Sequence, residues 1–337
     1  MSSDFWQHHR LRFDPWGVDY DSPVQVGEAP DAARKVETEV EGLPWAPVRP
    51  NPATPLPDQI LFIDGRRRLD ARLVGSSDGQ ALYGAFATVA VGAVAVSLSE
   101  SRAVVMPPEI RRVVAVGGTE KPPATLVPCP LGTRAELVYT DGLISEDGAN
   151  DPDTPLTLVQ NFMLQQEAAY AKRYTVGADT LVVRDGPLRH ATPEPTLGYV
   201  KTMHKHYLPG PKVALLWELA PGERTPIFAV HSGPEKLWSW YLRSGHPDIA
   251  PEKLGYHGLH GLVRLELSGA VPLEDAKAIA HQSALLIPRF ASHPYRDPRA
   301  PQNLTPVGAL ERELGRRMGD AALIERRVRH FLAGLGA

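Results

Sequence analysis

The sequence has little of several features that would place it in a common class of protein. It contains one cysteine, Cys129, in 337 residues, so no disulfide can form within the chain, and a reducing compartment such as the cytoplasm fits. The formal net charge of −3 excludes the strongly basic composition of a simple nucleic-acid coat protein. No apolar run is long enough for a signal peptide or a membrane span. We therefore expect a cytoplasmic protein without membrane association.

Three frequent catalytic or cofactor-binding motifs are also absent from the sequence. There is no Walker A loop, no Gly-x-Ser-x-Gly motif and no glycine-rich dinucleotide fingerprint after a strand. Histidine pairs occur at His204 and His206 and at His257 and His260, but no further cysteine or histidine lies at a convincing zinc-ligand spacing. The chemistry of the chain must therefore come from other side chains.

What the sequence does contain is the composition of a globular protein, with 43% hydrophobic and 22% charged residues. Residues 1–57 are rich in proline and acidic residues, and we predict an extended arm here, followed by one domain over residues 58–337. The arm carries aromatic residues near its start, at Phe5, Trp6, Phe13 and Trp16. We expect these to dock either on the same chain or on a partner, since aromatic side chains bury a large area.

Hydrophobic patterning predicts an α/β fold with a mixed sheet and flanking helices. The predicted strands are residues 60–63, 69–73, 81–98 as one or two strands, 180–183, 213–218, 226–230, 236–242 and 262–267. The predicted helices are residues 155–174, capped by Thr154, residues 272–286, and two C-terminal helices that begin at Thr305 and after Asp320. Strands followed by a helix and a further strand favour a mixed sheet with crossover helices over a sandwich.

Two predicted strands end in the same dipeptide, Asp-Gly. In Ile-Leu-Phe-Ile-Asp64-Gly and Leu-Val-Val-Arg-Asp185-Gly, a carboxylate follows a buried apolar run. If the two strands are neighbours in one sheet, the carboxylates converge and repel one another unless a cation lies between them. A hard divalent ion prefers such oxygen ligands. Asp-Gly is also a common turn after a strand, but the matched pair favours a metal site at Asp64 and Asp185.

Glu167 and Lys201 are candidates for the same site. Glu167 lies on the apolar stripe of the helix predicted for residues 155–174, and burying an acid there is costly without a cation or a donor. Lys201 follows the second Asp-Gly and could hold a phosphate as a point charge. The alternative is that Glu167 reaches solvent at the edge of the stripe and that Lys201 is an ordinary surface lysine.

Two groups of arginines are candidates for contacts with nucleic acid. The first is Arg66, Arg67 and Arg68 with Arg72. The second comprises five C-terminal arginines: Arg316, Arg317, Arg326, Arg327 and Arg329. Acidic residues interleave with the second group, which therefore reads as the solvated face of two helices.

Four short motifs, in this order, resemble the NurA nucleases, which process DNA ends together with a hexameric ATPase translocase, HerA. The motifs are Phe62-Ile-Asp64-Gly, Leu181-Val-Val-Arg-Asp185-Gly-Pro-Leu, Gly198-Tyr-Val-Lys201-Thr and the Pro-Tyr295 stretch before a helix. The resemblance covers roughly residues 58–320. It implies a ribonuclease H-like core and a deoxyribonuclease that resects DNA ends in double-strand break repair with Mn²⁺ or Mg²⁺. It further implies DNA and a HerA-type translocase as partners, and a homodimer.

The resemblance also implies site residues. Asp64 and Asp185 would hold the metal together with Glu167, the match to an acidic residue that the family carries on a helix before the second aspartate, and Lys201 would steady the phosphate.

The C-terminal part of the implied site departs from the family pattern. The family has a tyrosine followed about two helical turns later by a histidine, whereas Tyr295 is followed here by Asn303. Either Asn303 takes that position or His293, on the other side of Tyr295, compensates. The departure argues for an alternative function, a catalytically weak scaffold or adaptor that binds the translocase, whereas the intact Asp64, Glu167 and Asp185 argue against it. A glycosidase with a carboxylate pair would leave Lys201 unexplained.

Overall fold

The computed structural model describes residues 2–14, 35–77, 79–129, 136–174, 179–188, 195–201, 207–232, 235–245, 258–293 and 300–335. Five residues singled out in the sequence lie outside these ranges: Trp16, His204, His206, His257 and Tyr295. The described strands are β1 (Arg12–Phe13), β2 (Lys35–Glu37), β3 (Gln59–Ser77), β4 (Gln80–Ser97), β5 (Arg102–Val105), β6 (Glu109–Val116), β7 (Thr125–Val127), β8 (Leu137–Tyr139), β9 (Asp141–Leu143), β10 (Thr180–Asp185), β11 (Thr196–Val200), β12 (Phe228–Ser232), β13 (Glu235–Arg243) and β14 (Leu262–Ser268). The described helices are α1 (Ser2–His8), α2 (Thr154–Lys172), α3 (Gly210–Val213), α4 (Leu215–Glu218), α5 (Leu273–Leu286), α6 (Thr305–Arg317) and α7 (Ala321–Gly334).

One mixed sheet organises the described strands. They lie side by side in the order β2-β12-β13-β14-β11-β10-β3-β4-β6-β9, with β1 also paired to β3 and β5 to β4. The centre is an antiparallel meander of β3, β4 and β6. Two further strands continue the sheet on the other side of β3. Strand β10 is parallel to β3, and β11 is parallel to β10. The predicted fold class is confirmed as an α/β mixed sheet with flanking helices.

The two faces of the sheet are covered by different helices. Side chains alternate along a strand, so Phe62 packs with the residues of α5 and α6 on one face, and Ile63 packs with those of α2 on the other. Both side chains are fully buried. The same alternation places Asp64 on the face that α6 covers, and Gly65 on the face that α2 covers.

Strand β3 is longer than the sequence predicts. The strand end predicted at Asp64-Gly65 is wrong, because the chain continues as one strand of 19 residues. Strand β4 pairs with β3 from end to end, so the backbone of the dipeptide is held in the ladder and no turn is needed. A bulge between Leu69 and Ala71 interrupts the register. Asp64 therefore projects from the middle of a long paired strand and not from a loop.

The described parts of the N-terminal arm pack on the rest of the chain. Trp6 in α1 is 0% exposed and stacks on Phe86 of β4. Strand β2 pairs with β12 at the edge of the sheet, and Glu41 forms a buried ion pair with Arg224 at 2.6 Å. Phe5 and Trp6 thus dock on their own chain, which is the first of the two outcomes expected for the aromatic residues of the arm. The domain boundary at residue 57 stays a prediction.

Two local predictions differ from the structure, and one is confirmed. Residues 213–218 were expected as a strand but lie in α3 and α4, because Pro211 suits the first turn of a helix, where its missing N–H has no partner to lose. The N-cap of α2 is Asp153, and Thr154 is the first helical residue. Asp320 caps α7 as predicted, since its Oδ1 accepts a hydrogen bond from the Leu323 N–H at 2.7 Å.

Candidate metal centre

Three carboxylates from three elements meet on the α6 face of the sheet. Asp64 comes from β3, Asp185 from the end of β10 and Glu311 from α6, and one oxygen of each lies within 4.8 Å of the others. Strands β3 and β10 are parallel neighbours with Ile63 opposite Arg184, so the two aspartates project from adjacent strands to the same side. The predicted convergence of Asp64 and Asp185 is confirmed as geometry.

The group reaches from the core to the surface. Asp64 is only 7% exposed, Asp185 is half-buried and Glu311 is exposed. A ligand can therefore approach from the Glu311 side, while Asp64 forms the buried end of the site. Burial raises the pKa of Asp64 well above its ordinary value, and the charges of Asp185 and Glu167 raise it further. The charged form of Asp64 is thus unfavourable unless a cation is added.

Lys201 contributes positive charge to this group. Its ammonium donates to Asp185 Oδ2 at 2.6 Å, and both side chains are largely buried. Burial alone would lower the pKa of Lys201, but Asp185, Asp64 and Glu311 outweigh that effect and raise it. Lys201 is therefore a positive charge held beside the carboxylates and not an ordinary surface lysine, and its contact with a phosphate stays a prediction.

Glu167 approaches the same region from the opposite face of the sheet. It is 1% exposed on the buried stripe of α2, and its Oε2 lies 4.0 Å from Nε of the buried Arg184. It is not one of the three carboxylates that meet within 4.8 Å, but its charge raises the pKa of Asp64. The expected burial of Glu167 is confirmed, and the guanidinium of Arg184 lies beside it. Its role as a metal ligand stays a prediction.

The two Asp-Gly glycines are required for different physical reasons. A Cβ on Gly65 would overlap Oε1 of Glu167, so Gly65 makes room for a carboxylate against the backbone next to Asp64. Gly186 has open space around it but a φ of +99°, a backbone conformation that side chains with a Cβ rarely adopt. The sequence motif is the same, but only the second glycine marks a change in chain direction.

The C-terminal residues implied by the family resemblance are only partly described. Tyr295 lies outside the described residues. Asn303 and His293 flank that gap, and the Asn303 carbonyl accepts a hydrogen bond from the Ser292 N–H at 2.7 Å. The roles of Tyr295, Asn303 and His293 in catalysis stay predictions.

Glu311 was missed as a site residue by the sequence reasoning, which assigned it to a solvated helix face. It lies one residue after the buried Leu310 and four after the buried Val307. Its position beside the apolar stripe of α6 is the only sequence feature that could have indicated a site residue. Many exposed glutamates occupy such a position without belonging to a site. A hydrogen bond of 2.6 Å from the Tyr199 hydroxyl to the Gln302 carbonyl joins β11 to the segment before α6 and helps to fix the helix over the site.

Comparison with known proteins gives similar folds at low identity. No family model and no curated protein sequence matches the chain. The NurA nuclease from Sulfolobus solfataricus is a similar solved structure, at 10% identity over 81% of this chain and 87% of that one, with a TM-score of 0.39. Endonuclease V from Bacillus subtilis is similar at 11% identity over 79% and 84%, with a TM-score of 0.32. The catalytic domain of human endonuclease V is similar at 12% identity over 78% and 82%, with a TM-score of 0.33.

A second group of possible metal ligands lies at the end of α1. Nitrogen atoms of His8 and His9 and an oxygen of Glu120 lie within 4.8 Å of one another. His9 is buried, and its Nε2 lies 2.7 Å from Glu120 Oε2, so an ordinary ion pair or hydrogen bond accounts for this contact. The pair joins α1 to the loop after β6.

None of the helices in the described ranges is both long enough and apolar enough to cross a membrane.

Proposed function

We propose that this chain is a divalent-metal-dependent nuclease that hydrolyses phosphodiester bonds of DNA. The observation that carries the proposal is the meeting of Asp64, Asp185 and Glu311 within 4.8 Å, with Lys201 bonded to Asp185. Three carboxylates around one lysine leave an excess of negative charge. Such an arrangement is costly in a half-buried site unless a cation completes it.

The donor set fits a hard divalent cation. All three candidate ligands offer carboxylate oxygens, which Mn²⁺ and Mg²⁺ prefer over softer donors. The raised pKa of the buried Asp64 also supports a cation site. A carboxylate whose charged form is unfavourable is stabilised by a neighbouring cation. When bound, such an ion would supply Lewis-acid polarisation of a phosphate and of a water molecule. Asp64, Asp185 and Glu311 are the residues that would hold it, with Glu167 behind Asp64.

The residues of the chain would divide the remaining tasks. Lys201, fixed by its bond to Asp185, would place its ammonium against a non-bridging phosphate oxygen. The exposed Glu311 would define the entrance, and the wall formed by the sheet and α6 would exclude water from the buried side of the phosphate. In the hydrolysis itself, a water oxygen forms a bond to phosphorus, the bond from phosphorus to the leaving sugar oxygen breaks, and that oxygen ends with a proton.

A cleavage assay tests the proposal. Purified protein should cut linear DNA when Mn²⁺ is present and should not cut it in excess EDTA. Lys201→Ala should lower the rate by about tenfold to a hundredfold, the effect of losing a charge-assisted contact to phosphate. Arg102→Ala, an exposed arginine on β5, is the matched control and should cleave like the parent. Cleavage at the parent rate by Lys201→Ala would contradict the assigned role of Lys201.

The finer parts of the expected function are proposals that rest on the family resemblance. We propose that the protein resects DNA ends in double-strand break repair with a HerA-type translocase, and that it acts as a homodimer. The negative net charge supports a need for a partner, because sequence-independent DNA affinity comes mainly from neutralising phosphates. If the protein binds such a translocase but cuts no DNA with any divalent ion, the alternative of a scaffold replaces the nuclease. Hydrolysis of glycosides in EDTA would favour the glycosidase instead.

A further inference from the structure

The three consecutive arginines of β3 have three different environments. Arg67 projects toward α2 and donates to Gln160 Oε1. Arg68 is bound to Asp70 and to the carbonyl oxygens of Met318 and Gly319 at the end of α6. These two side chains therefore hold the helices on the sheet.

Arg66 is the exposed member of the three, and it lies on the face of the carboxylates. It follows Asp64 by two positions in the same strand, so both side chains project to the α6 side. Its Nη1 lies 3.4 Å from the main-chain carbonyl of Glu311, the residue whose carboxylate belongs to the candidate metal centre. The guanidinium thus lies at the open rim of the site.

The donors of Arg66 are largely unused. The contact with the Glu311 carbonyl is long for a hydrogen bond and uses one of the five N–H donors of a guanidinium. Among the described residues, no carboxylate forms an ion pair with Arg66, whereas Arg68 pairs with Asp70 at 2.9 Å. An arginine with free donors at the mouth of an acidic site is suited to an anionic oxygen ligand.

The spacing of Arg66 from Asp64 indicates which anion it would meet. Backbone positions two residues apart in a strand lie about 6.8 Å apart, and neighbouring phosphates along one DNA strand are separated by a similar distance. The long side chain of Arg66, which starts two positions from Asp64 on the same face, can therefore reach the phosphate next to one that reacts at Asp64 and Asp185.

We propose that Arg66 forms a second phosphate subsite, which binds the phosphodiester next to the one that is cleaved. This rests on the proposed nuclease function, and it adds a preference for chains with at least two phosphates. Because the carboxylates repel DNA, a cation at the rim supplies part of the attraction that the site itself lacks.

Two substrates distinguish the subsite from the reacting centre. The p-nitrophenyl ester of thymidine 5′-phosphate carries one phosphodiester and no neighbour, whereas an oligothymidylate carries many. For Arg66→Ala with Mn²⁺, kcat/KM on the oligothymidylate should fall by about tenfold more than on the ester, as expected for a lost guanidinium–phosphate contact. Arg66→Lys should recover part of this loss, because charge is kept and the paired donors are lost. Arg67→Ala changes the same charge on the opposite face and should leave the ratio of the two activities at the parent value.

Binding gives a readout that does not depend on cleavage. The affinity for a fluorescent oligothymidylate, measured with Ca²⁺ at several salt concentrations, should show a slope against salt that is smaller by about 0.7 in Arg66→Ala than in the parent. An equal loss on both substrates, or an unchanged salt slope, would overturn the proposal. If the parent binds the oligothymidylate but cleaves neither substrate, the nuclease function fails, and the comparison of salt slopes still decides whether Arg66 binds a phosphate.

Discussion

Replacing Asp64 by asparagine should stabilise the metal-free protein. Asp64 is 7% exposed, and its carboxylate lies within 4.8 Å of those of Asp185 and Glu311. Asparagine keeps the shape of the side chain and removes the charge. The folded protein then loses a buried repulsion that the unfolded chain does not have.

The expected magnitude follows from Coulomb's law. One pair of like charges at about 4.8 Å interacts by about 3 kcal/mol at an effective dielectric constant of about 20. Lys201 offsets part of this, because its charge lowers the pKa of Asp64, and Glu311 is exposed to solvent. We therefore expect a net gain of about 1–2 kcal/mol, or a rise of about 1–3 °C in Tm.

The pH dependence gives the same prediction a second readout. The pKa of Asp64 is raised in the folded protein, so the parent gains stability from this group below the unfolded pKa of about 3.9 and loses it as the pH rises through the folded value. The advantage of Asp64→Asn should therefore be largest at about pH 7 and should vanish toward about pH 4.

Thermal unfolding in EDTA is the assay, with circular dichroism or calorimetry as the signal. Asp275→Asn, an exposed aspartate in the first turn of α5, is the control and should change the stability by less than about 0.5 kcal/mol. Saturating Mn²⁺ should raise the Tm of the parent and should have little effect on Asp64→Asn. An Asp64→Asn variant that is less stable than the parent in EDTA at neutral pH would refute the reasoning.

Three further substitutions test contacts around the site by their effect on chemical denaturation. Gly65→Ala should lower the unfolding free energy by about 2 kcal/mol, because its methyl group displaces the buried Glu167 carboxylate; Gly65→Ala at parent stability would mean that the two do not touch. Asp70→Ala should lower it by about 3 kcal/mol, since the buried hydroxyl of Tyr139, which donates to Asp70 at 2.9 Å, and other donors lose their acceptor. Trp6→Ala should cost about 3–5 kcal/mol if α1 packs on the sheet as described, and an effect below about 1 kcal/mol would show that the arm is detached.

The convergence of Asp64 and Asp185 could be predicted from the sequence. The apolar runs before both residues lack polar alternation, which is typical of strands covered on both faces, and such strands lie near the centre of a sheet. Two strands of this kind are often neighbours in the sheet, so carboxylates at equivalent positions in them come close together. The buried position of Glu167 was predictable for a similar reason, since it follows the 3.6-residue period of the apolar stripe.

The third carboxylate and the face of the sheet that Glu167 approaches could not be predicted in this way. The position of Glu311 depends on how Val307, Leu310 and Leu314 seat α6 on the sheet, which is set by tertiary packing. A helical pattern also does not tell which face of a sheet the helix covers, and α2 lies opposite α6.

The strand end predicted at Asp64-Gly65 is wrong because local sequence preference was outweighed by pairing. Asp-Gly favours turns, but the ladder with β4 continues across the dipeptide, with Asp64 opposite Gly92. Gly65 is instead explained by the close approach of Glu167, a contact between residues distant in the sequence. A glycine needed for space and a glycine needed for a positive φ look the same in a single sequence.

The most direct test of the metal centre is anomalous diffraction from crystals of the protein grown or soaked with Mn²⁺ at neutral pH. The account predicts a peak in contact with carboxylate oxygens of Asp64, Asp185 and Glu311. The same peak should be absent from crystals of Asp64→Asn. Well-diffracting crystals of the parent with Mn²⁺ at His8, His9 and Glu120 but none at the three carboxylates would contradict the central claim.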